Sequence, residues 1–469
     1  MKSTLLLAFV VGVFCTASLK AQDAGLKLNI SERMTHRRAV EAVVWSMPLM
    51  NFKAMRDAQK KLGAGFNDIG YYSKVQTWRF QIATPNNTTP YIMSFWDLKD
   101  GPVVFELPAS SKDVGIFGTL LDSWHRALQD VGAKGYDKGR GGKYLLLPPG
   151  YQGGYPAGYI PLHQETYQGY TILRPIISDS SEANLKKAEA FAKTIKVYPL
   201  AKASEPATTR YVDLYGKLYD GITDFDAGFY KELNEIVQEE FIAEKDLAMM
   251  GLLKMIGIQK GGTFKADART KEILTDAAKE AHEYLIQHYH QDILPPYYEG
   301  KQWTNIVPPG TVETGFSFIF PNYLDYDARG ALYYAVCTSA KNLGAATFYL
   351  GVPKDSEGEW LDGASTYKFT VPAKVPAKDF WSVVAYDAQT AGWILNQPKV
   401  GIDSNVKGLQ ANDDGSVDIY FGTKAPDGKE SNWVPTSANG KFFLLFRFYG
   451  PEPAVFDKSW QLNDLEKLN

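Results

Sequence analysis

Cysteine is the scarcest residue type that bears on the fold of this chain, with two in 469 residues. Cys15 lies in the apolar N-terminal stretch, and Cys337 lies in the last third of the sequence. If the first is removed with a leader, no disulfide can form within the chain. An exported protein of this kind must then be held together by its hydrophobic cores.

Several catalytic signatures are also missing. The sequence contains no GxSxG serine motif, no GxxxxGK[ST] phosphate loop and no GxGxxG dinucleotide turn, which argues against P-loop chemistry and hydride transfer. His288 and His290 form the only close histidine pair. Two residues apart on a helix, they face different directions and lack metal-ligand spacing. We therefore expect no metal site and no cofactor.

Neither a strong net charge nor a long internal apolar run is present. The formal net charge is −3, which gives no sign of a polyanionic partner, so we expect no nucleic-acid binding. Beyond the N-terminus, no stretch approaches the roughly 20 apolar residues that a membrane helix needs. We therefore expect no membrane span.

The N-terminus is typical of a secretory leader. Lys2 provides a basic start, residues 5–17 are apolar apart from Thr16, and small residues before and at Ala21 suit cleavage. The apolar run is too short to span a membrane. We predict a signal peptide at residues 1–21 and a mature protein that is secreted or periplasmic.

Aromatic residues are abundant, at 13% of the chain, and they favour strands. The length predicts two or three domains. The patterns predict four consecutive regions, namely a helical segment at 22–65 packed on the first sheet, an all-β domain at 66–200, a helical segment at 201–300 and a second β region at 301–469. In the first helix, Thr35 is expected to be the N-cap and Pro48 to kink or break the helix.

A guanidinium group lies inside the most apolar strand pattern of the chain. Residues 441–449 predict a buried strand that contains Arg447, and residues 380–387 and 417–421 predict two further strands. A buried arginine is costly unless a carboxylate and further acceptors meet it. Asp387 and Asp418 are the nearest candidates, so we expect an acid to neutralise Arg447.

Carboxylates beside aromatic strands are the remaining candidates for catalysis. Asp97 and Asp387 fit the acid/base of a hydrolase or lyase, beside an arginine that holds an anionic group. The alternative is that each caps a turn or pairs with an arginine. Trp96 and Trp381 fit either a platform for a sugar ring or a hydrophobic core. The residues alone leave these alternatives open.

Two long stretches resemble known families. Residues 85–91, 95–98 and 101–104, followed by residues 144–146 and Arg174, resemble the core signature of domain of unknown function 1254. The second half of the chain resembles domain of unknown function 1214. The residues that carry this second resemblance are 327–331, 380–382, Tyr386, Asp387, Asn396, 415–417, 432–435 and 447–451.

The tandem resemblance implies a multidomain α+β fold. Such proteins have a complex all-β N-terminal domain followed by a jelly-roll β-sandwich with an α-helical addition, which here places the jelly roll at residues 301–469. The families have no established activity, so no catalytic residue is carried over from them.

Our leading hypothesis is a protein that binds a small molecule or carbohydrate where the two β domains meet, because concave sites often form at domain interfaces. One alternative is a secreted hydrolase or lyase that depends on Asp97 or Asp387. The other is a non-catalytic envelope or assembly module, and association into a homo-oligomer is left open. The predicted binding residues are Asn86, Trp96, Arg174, Arg329, Trp381, Tyr386, Asn396, Asn432 and Arg447.

Overall fold

The computed structural model describes residues 26–205, 208–342 and 347–468. The predicted leader, residues 1–21, and Cys15 lie outside these ranges. Within them the chain is a mixed α+β structure of several β-sheets and seven α-helices, which confirms the predicted multidomain α+β class. The helices are α1 (Ile30–Lys61), α2 (Glu182–Ala192), α3 (Ala227–Glu239), α4 (Leu247–Met255), α5 (Ala268–Gln287), α6 (Tyr326–Ala335) and α7 (Pro453–Phe456).

The strands of the N-terminal half form two larger sheets and a small one. These strands are β1 (Ile69–Tyr71), β2 (Phe80–Gln81), β3 (Ile92–Asp97), β4 (Val103–Leu107), β5 (Gly115–Asp122), β6 (Ala127–Gly132), β7 (Gly142–Leu147), β8 (Ile160–His163), β9 (Gln168–Ile176), β10 (Lys196–Pro199), β11 (Tyr211–Asp213) and β12 (Tyr219–Asp220). The sheet orders are β11-β1-β3-β9-β5-β6, β10-β4-β7-β8 and β12-β2. Side chains such as Leu173 and Phe105 form a shared core from strands of the two larger sheets.

The C-terminal half is a sandwich of two sheets. Its strands are β13 (Thr304–Asn305), β14 (Thr347–Val352), β15 (Tyr367–Val371), β16 (Ala377–Asp387), β17 (Gly401–Asp403), β18 (Val417–Gly422), β19 (Trp433–Pro435), β20 (Phe442–Pro451) and β21 (Glu466–Lys467). The orders are β13-β14-β20-β16-β17 and β19-β18-β15-β21. Phe446 from one sheet and Phe369 from the other meet in its core. The strands predicted at residues 380–387, 417–421 and 441–449 are confirmed.

Helix α1 runs through the middle of the molecule. Asn29, and not the expected Thr35, caps its N-terminus in a reciprocal pair with Glu32. Of the kink or break expected at Pro48, the break does not occur, because the helix continues to Lys61. Proline has no N–H, so the Val44 carbonyl lacks its usual helical donor.

Burial explains why the helix tolerates this proline. Pro48 and its neighbours are buried. Helix α1 packs on the first sheet, where Phe52 contacts Phe95 and Tyr170, and it packs also against α5 and α6. Gly330 of α6 lies so close that a side-chain carbon there would come within 2.4 Å of the Val44 oxygen. Only glycine permits this approach.

One large apolar core joins the helices to both β domains. Tyr170 and Ile172 enter it from β9, and Val384 and Leu445 enter it from the outer face of the five-stranded sandwich sheet. The two β domains therefore contact each other directly and also through the helical layer. The rim of this shared core is where the candidate site lies.

Candidate functional site

The outer face of the five-stranded sandwich sheet carries three successive cross-strand rows. The first is the apolar pair Leu445 and Val384, which belongs to the core shared by the domains. In the next row Arg447 lies between Tyr349 and Ser382. Because side chains alternate along a strand, these residues share one face of the sheet. Arg447 therefore lies where the buried apolar core ends and the boundary between the domains begins.

The third row is formed by aromatic rings. Tyr449 and Phe380 lie opposite each other and stack with ring centroids 3.9 Å apart at 14°. Both are partly exposed. Along the strands the face therefore changes from apolar and buried, through charged and buried, to aromatic and partly exposed.

Arg447 is 3% exposed and makes hydrogen bonds only through one terminal nitrogen. Its Nη2 donates to the Tyr386 hydroxyl at 2.5 Å, to the Pro85 carbonyl at 3.3 Å and to the Thr84 carbonyl at 3.4 Å. The guanidinium carbon also lies 5.3 Å from the centroid of the Tyr349 ring, a cation–π distance.

The expected acid partner of Arg447 is absent from the described residues, so that prediction is wrong. Asp387 Oδ1 accepts hydrogen bonds from the backbone N–H groups of Gln389 and Thr390 in its own turn. Asp418 lies in the other sandwich sheet and contacts the Thr370 hydroxyl at 2.5 Å. Neither forms an ion pair with the guanidinium.

A second arginine approaches the same boundary from the N-terminal domain. Arg174 lies on β9, on the face that carries Tyr170 and Ile172 into the shared core, and its guanidinium carbon is 5.3 Å from the Tyr91 ring centroid. It is partly exposed. Across the described ranges it has no ion pair, and its Nε is buried without a partner.

Two observations link the surroundings of the two arginines. Both guanidinium groups lower the pKa of the Cys337 thiol, although burial is the larger influence and raises that pKa to about 11. The segment of residues 84–90, which we call the covering loop, also touches both surroundings. Its Asn86 N–H donates to the Tyr91 hydroxyl at 2.9 Å, and its Asn86 carboxamide lies 3.3 Å from the Tyr449 hydroxyl. We call Arg174, Arg447, Tyr91, Tyr349 and Ser382 the arginine seam.

The surrounding phenols do not neutralise these charges. Burial raises the pKa values of Tyr91, Tyr386 and Tyr449 above the usual value for tyrosine, so all three stay protonated at neutral pH. Guanidinium groups remain charged in proteins. The seam therefore contains two positive charges with phenol and carbonyl dipoles as their only described partners.

Several hydrogen-bonding atoms at the seam are also unpaired. They are Arg447 Nε, Arg447 Nη1 and Arg174 Nε. Buried polar groups are almost always hydrogen-bonded, and an unsatisfied one costs stability. Unpaired N–H groups on two guanidinium groups that lack an acid in the described ranges are the arrangement expected for a site that receives an anion.

The other predicted binding residues lie away from this group. Trp96 is fully buried in the core of the N-terminal domain, and Trp381 stacks on Phe446 inside the sandwich. Asn432 is 1% exposed and its amide bonds to Gln410 and to the Asp418 carbonyl. These three side chains stabilise the fold, because their polar groups are satisfied or their rings lie in cores.

Asn396 and Arg329 also lie outside the seam. Asn396 is exposed with φ of 61°, the left-handed conformation that asparagine tolerates in turns. Arg329 is buried against α1, where it donates to the Trp45 carbonyl at 3.1 Å and lies 4.7 Å from the Trp124 ring centroid. Burial lowers the pKa of Arg329 to about 10, with Asp246 opposing the shift.

The two candidate catalytic acids are not brought together. Asp97 ends β3 and accepts a hydrogen bond from the Lys99 N–H at 2.9 Å, whereas Asp387 ends β16 and holds its own turn. Gln389 and Thr390 of that turn line a small cleft with Asn51 and Thr223. Asp97 does not line it.

Sequence reasoning missed Tyr349, Ser382 and Tyr91 as members of the site. The signal for Ser382 was present, since alternation places it on the face opposite Trp381. Which strand lies beside which could not be read from the sequence. Of the predicted residues, Asn86, Arg174, Tyr386 and Arg447 come together.

Membrane-spanning helices and groups of metal-ligating side chains are both absent from the described part of the chain. None of its helices has the length and apolar character needed to cross a bilayer. No three histidine, cysteine or acidic side chains in these ranges are grouped as metal ligands would be.

Two protein families match the chain in tandem. Residues 66–199 match the family described as protein of unknown function DUF1254. Residues 346–453 match the family described as protein of unknown function DUF1214. No curated protein matches the chain. Arg174 lies in the first matched region and Arg447 in the second, so the seam joins the two.

Solved structures resemble the fold. The VPA0106 protein of Vibrio parahaemolyticus is 15% identical with a TM-score of 0.53, and the match covers 93% of this chain and 100% of that one. An uncharacterized protein from Burkholderia cenocepacia is 13% identical with a TM-score of 0.41, over 93% of this chain and 94% of that chain. The first supports the fold alone.

Proposed function

We propose that this chain, a tandem DUF1254–DUF1214 protein, binds a small organic acid through its carboxylate at the arginine seam between the two β domains. The observation that carries the proposal is the pair of cations, Arg174 and Arg447, for which the described residues provide no acidic partner. A carboxylate fits a guanidinium through two parallel N–H···O bonds, which are among the strongest hydrogen bonds in proteins.

The two arginines differ in access, which implies an order of contact. Arg174 is partly exposed, whereas Arg447 lies beneath the covering loop. An incoming acid therefore meets Arg174 first and reaches Arg447 once the loop moves outward. At the tip of the loop Thr88 Oγ1 lies 3.2 Å from the Tyr449 hydroxyl, which is a long and therefore weak hydrogen bond, whereas Thr84 Oγ1 at its base donates to the Ala335 carbonyl at 2.8 Å.

Binding without catalysis is favoured by the positions of the acids. A hydrolase or lyase would need titratable groups that open on one cleft, and the Asp97 and Asp387 carboxylates are held in separate turns. We further propose that the protein works outside the cytoplasm. That proposal is supported by the leader-like sequence of residues 1–21.

Thermal unfolding in the presence of sodium acetate tests the binding proposal. At about ten times its dissociation constant, acetate should raise the melting temperature by about 2 °C, because a ligand that binds only the folded state stabilises it. Sodium chloride at the same ionic strength should give a smaller shift. Equal shifts with both salts would contradict a carboxylate site.

Substitution of the accessible arginine provides the matched comparison. Arg174→Gln should abolish the acetate shift while the protein remains folded, because the side chain is partly exposed. Arg79→Gln is the control, since Arg79 is exposed and lies over the Trp78 ring. Retention of the shift in Arg174→Gln, or its loss in Arg79→Gln, would overturn the assignment.

A further inference from the structure

We infer that the protein has a second interaction surface, formed by α4 and the first turns of α1, which docks on an anionic lipid bilayer. This inference goes beyond the proposed function and is independent of the arginine seam. It depends on where exposed apolar side chains and unpaired cations lie in the described chain.

Helix α4 exposes an apolar side to solvent. Of its nine residues, Leu253 alone is buried and Lys254 alone is charged. Leu247, Gly251 and Met255 are exposed, and because they lie four residues apart they form one stripe along the helix. A surface helix normally presents charged and polar residues on its exposed side, so this stripe needs another explanation.

The same surface continues onto α1. Ile30, Met34 and Met255 line one open groove between the two helices. Ile30, Leu247 and Met255 are 63%, 59% and 61% exposed, which makes them three of the four most exposed large apolar side chains in the described ranges. Single exposed apolar residues are ordinary, whereas a contiguous group marks an interaction surface. We call Ile30, Met34, Leu247, Gly251 and Met255 the α4 face.

Three cations flank the α4 face. Lys254 lies on α4 itself, and Arg33 and Arg37 lie one turn apart on α1. All three are exposed, and Arg37 Nη1 lies 3.9 Å from the Met34 sulfur. None of the three forms an ion pair with an acid of the described residues. Their charges therefore face solvent beside the apolar stripe.

The acids of the same segments offset little of this charge. Glu32 is held by Arg269 at 2.8 Å, Asp246 is buried just before α4, and Glu244 is the exposed acid that is left. An apolar face with cations around it matches an anionic bilayer, where apolar side chains enter the acyl boundary and basic ones contact the headgroups. A second copy of the chain fits less well, because a two-fold interface would bring the same cations together.

Vesicle sedimentation tests the inference. The chain from residue 22 onward is used, because it contains every described residue and lacks the apolar N-terminal stretch, which would itself enter lipid. We expect it to bind vesicles made of equal parts of phosphatidylglycerol and phosphatidylcholine, and to bind phosphatidylcholine alone much more weakly. Binding should weaken at high salt, since salt screens the headgroup charges. Equal binding to both vesicles, or binding to neither, would overturn the inference.

Substitutions on the face separate the apolar contact from the charge. Leu247→Ser combined with Met255→Ser should reduce affinity for the mixed vesicles by at least about tenfold, and Lys254→Gln should reduce it by about fivefold. The matched controls are Leu395→Ser and Lys424→Gln, at exposed positions in the sandwich, which should leave the affinity unchanged. Thermal unfolding checks that each variant is folded. Unreduced binding by the double variant would contradict docking through α4.

A fluorescent label on the stripe reports which face touches the lipid. A side-chain carbon at Gly251 would meet no atom within 4 Å, so Gly251→Cys accommodates an environment-sensitive dye, and Cys337 is buried away from the reagent. Dye at Gly251→Cys should shift its emission to the blue on mixed vesicles, whereas dye at Ser356→Cys, an exposed position in the sandwich, should not. No shift at Gly251→Cys overturns the inference. A lipid-free dimer that the double variant dissociates also overturns it, because the face is then a subunit interface.

Discussion

Two regions of this protein bury cations, and they treat them in opposite ways. On α1, Lys53 and Arg56 are each 2% exposed. Lys53 contacts Asp57 at 2.7 Å and Glu235 at 3.0 Å, and Arg56 contacts Asp57 at 2.8 Å and also Glu239. We call these five residues the paired network. The arginine seam buries Arg447 almost as deeply, with no carboxylate partner in the described ranges.

Under the proposed function, this difference separates a structural cluster from a site for a ligand. The fold surrounds the α1 cations with acids from α1 itself and from α3, so their desolvation is offset within the chain. At the seam it supplies carbonyls, phenols and aromatic rings. The same fold therefore pairs the buried cations of the network with acids, but among the described residues it provides no acid for Arg447 at the boundary of the domains.

The largest expected effect comes from breaking the paired network. Arg56→Met should lower the free energy of unfolding by about 3–5 kcal/mol, because Glu239 and the buried Gln168 Oε1 lose their donor and Asp57 is left with Lys53 alone. Urea unfolding monitored by tryptophan fluorescence measures the loss. A change below about 1 kcal/mol would remove the distinction between the two regions.

A buried acid beside the network provides the next effect. Burial raises the pKa of Glu240 from 4.5 to about 7, although the N–H groups of Tyr167 and Gln168 oppose the shift. Between these values the folded state keeps a proton that the unfolded state releases, so the free energy of unfolding should fall by about 3 kcal/mol as pH rises from 4.5 to 7.

Urea unfolding at several pH values measures this slope. Glu240→Gln should flatten it, whereas Glu244→Gln, at an exposed position in the next segment, should not. An unpaired buried acid can discharge by taking up a proton. An unpaired guanidinium cannot lose its charge at neutral pH. Glu240 therefore differs from the arginines of the seam, which stay charged. An unchanged slope in Glu240→Gln would contradict this account of the acid.

Arg447→Met should have a much smaller effect on stability than Arg56→Met. No carboxylate of the described chain loses a partner, and the Pro85 carbonyl keeps its hydrogen bond from the Tyr386 hydroxyl at 2.6 Å. We expect a change of less than about 1 kcal/mol, since replacing a buried charge with an apolar group is often neutral. The acetate shift in melting temperature should disappear. A loss as large as that of Arg56→Met would make the seam a structural cluster.

The smallest effect is expected at the covering loop. Tyr449→Phe removes the hydroxyl that contacts Thr88 Oγ1 and Asn86 Oδ1 at 3.2 and 3.3 Å. It should cost about 0.5 kcal/mol, the lower end for a hydrogen bond. Hydrogen exchange in residues 84–90 should become faster, and exchange in β16 should not. Unchanged exchange in the loop would mean that these contacts do not hold it.

Local sequence patterns predicted much of the sandwich and one part of the site. Alternating and aromatic runs predicted β16, β18 and β20, and with them the burial of Arg447. They could not provide its partner, because the Asp387 carboxylate is taken by backbone N–H groups that follow it in its own turn. The row Tyr349–Arg447–Ser382 depends on pairing between strands far apart in the sequence, which local patterns do not contain.

The course of α1 shows the same limit. Pro48 predicts a break from local chemistry alone, and the helix continues because burial among α5, α6 and both β domains stabilises it. The approach of Gly330 to the Val44 carbonyl depends on two segments nearly 300 residues apart. Tertiary packing therefore decides both the helix and the domain boundary beside it.

Anomalous diffraction from a crystal soaked in sodium bromide tests the central claim most directly, because bromide is a small anion whose position can be identified. We predict a bromide peak within hydrogen-bonding distance of the Arg174 guanidinium nitrogens, on the side of Arg447. We predict no peak at Lys53 or Arg56. Bromide elsewhere on the surface with none at Arg174 would contradict the account.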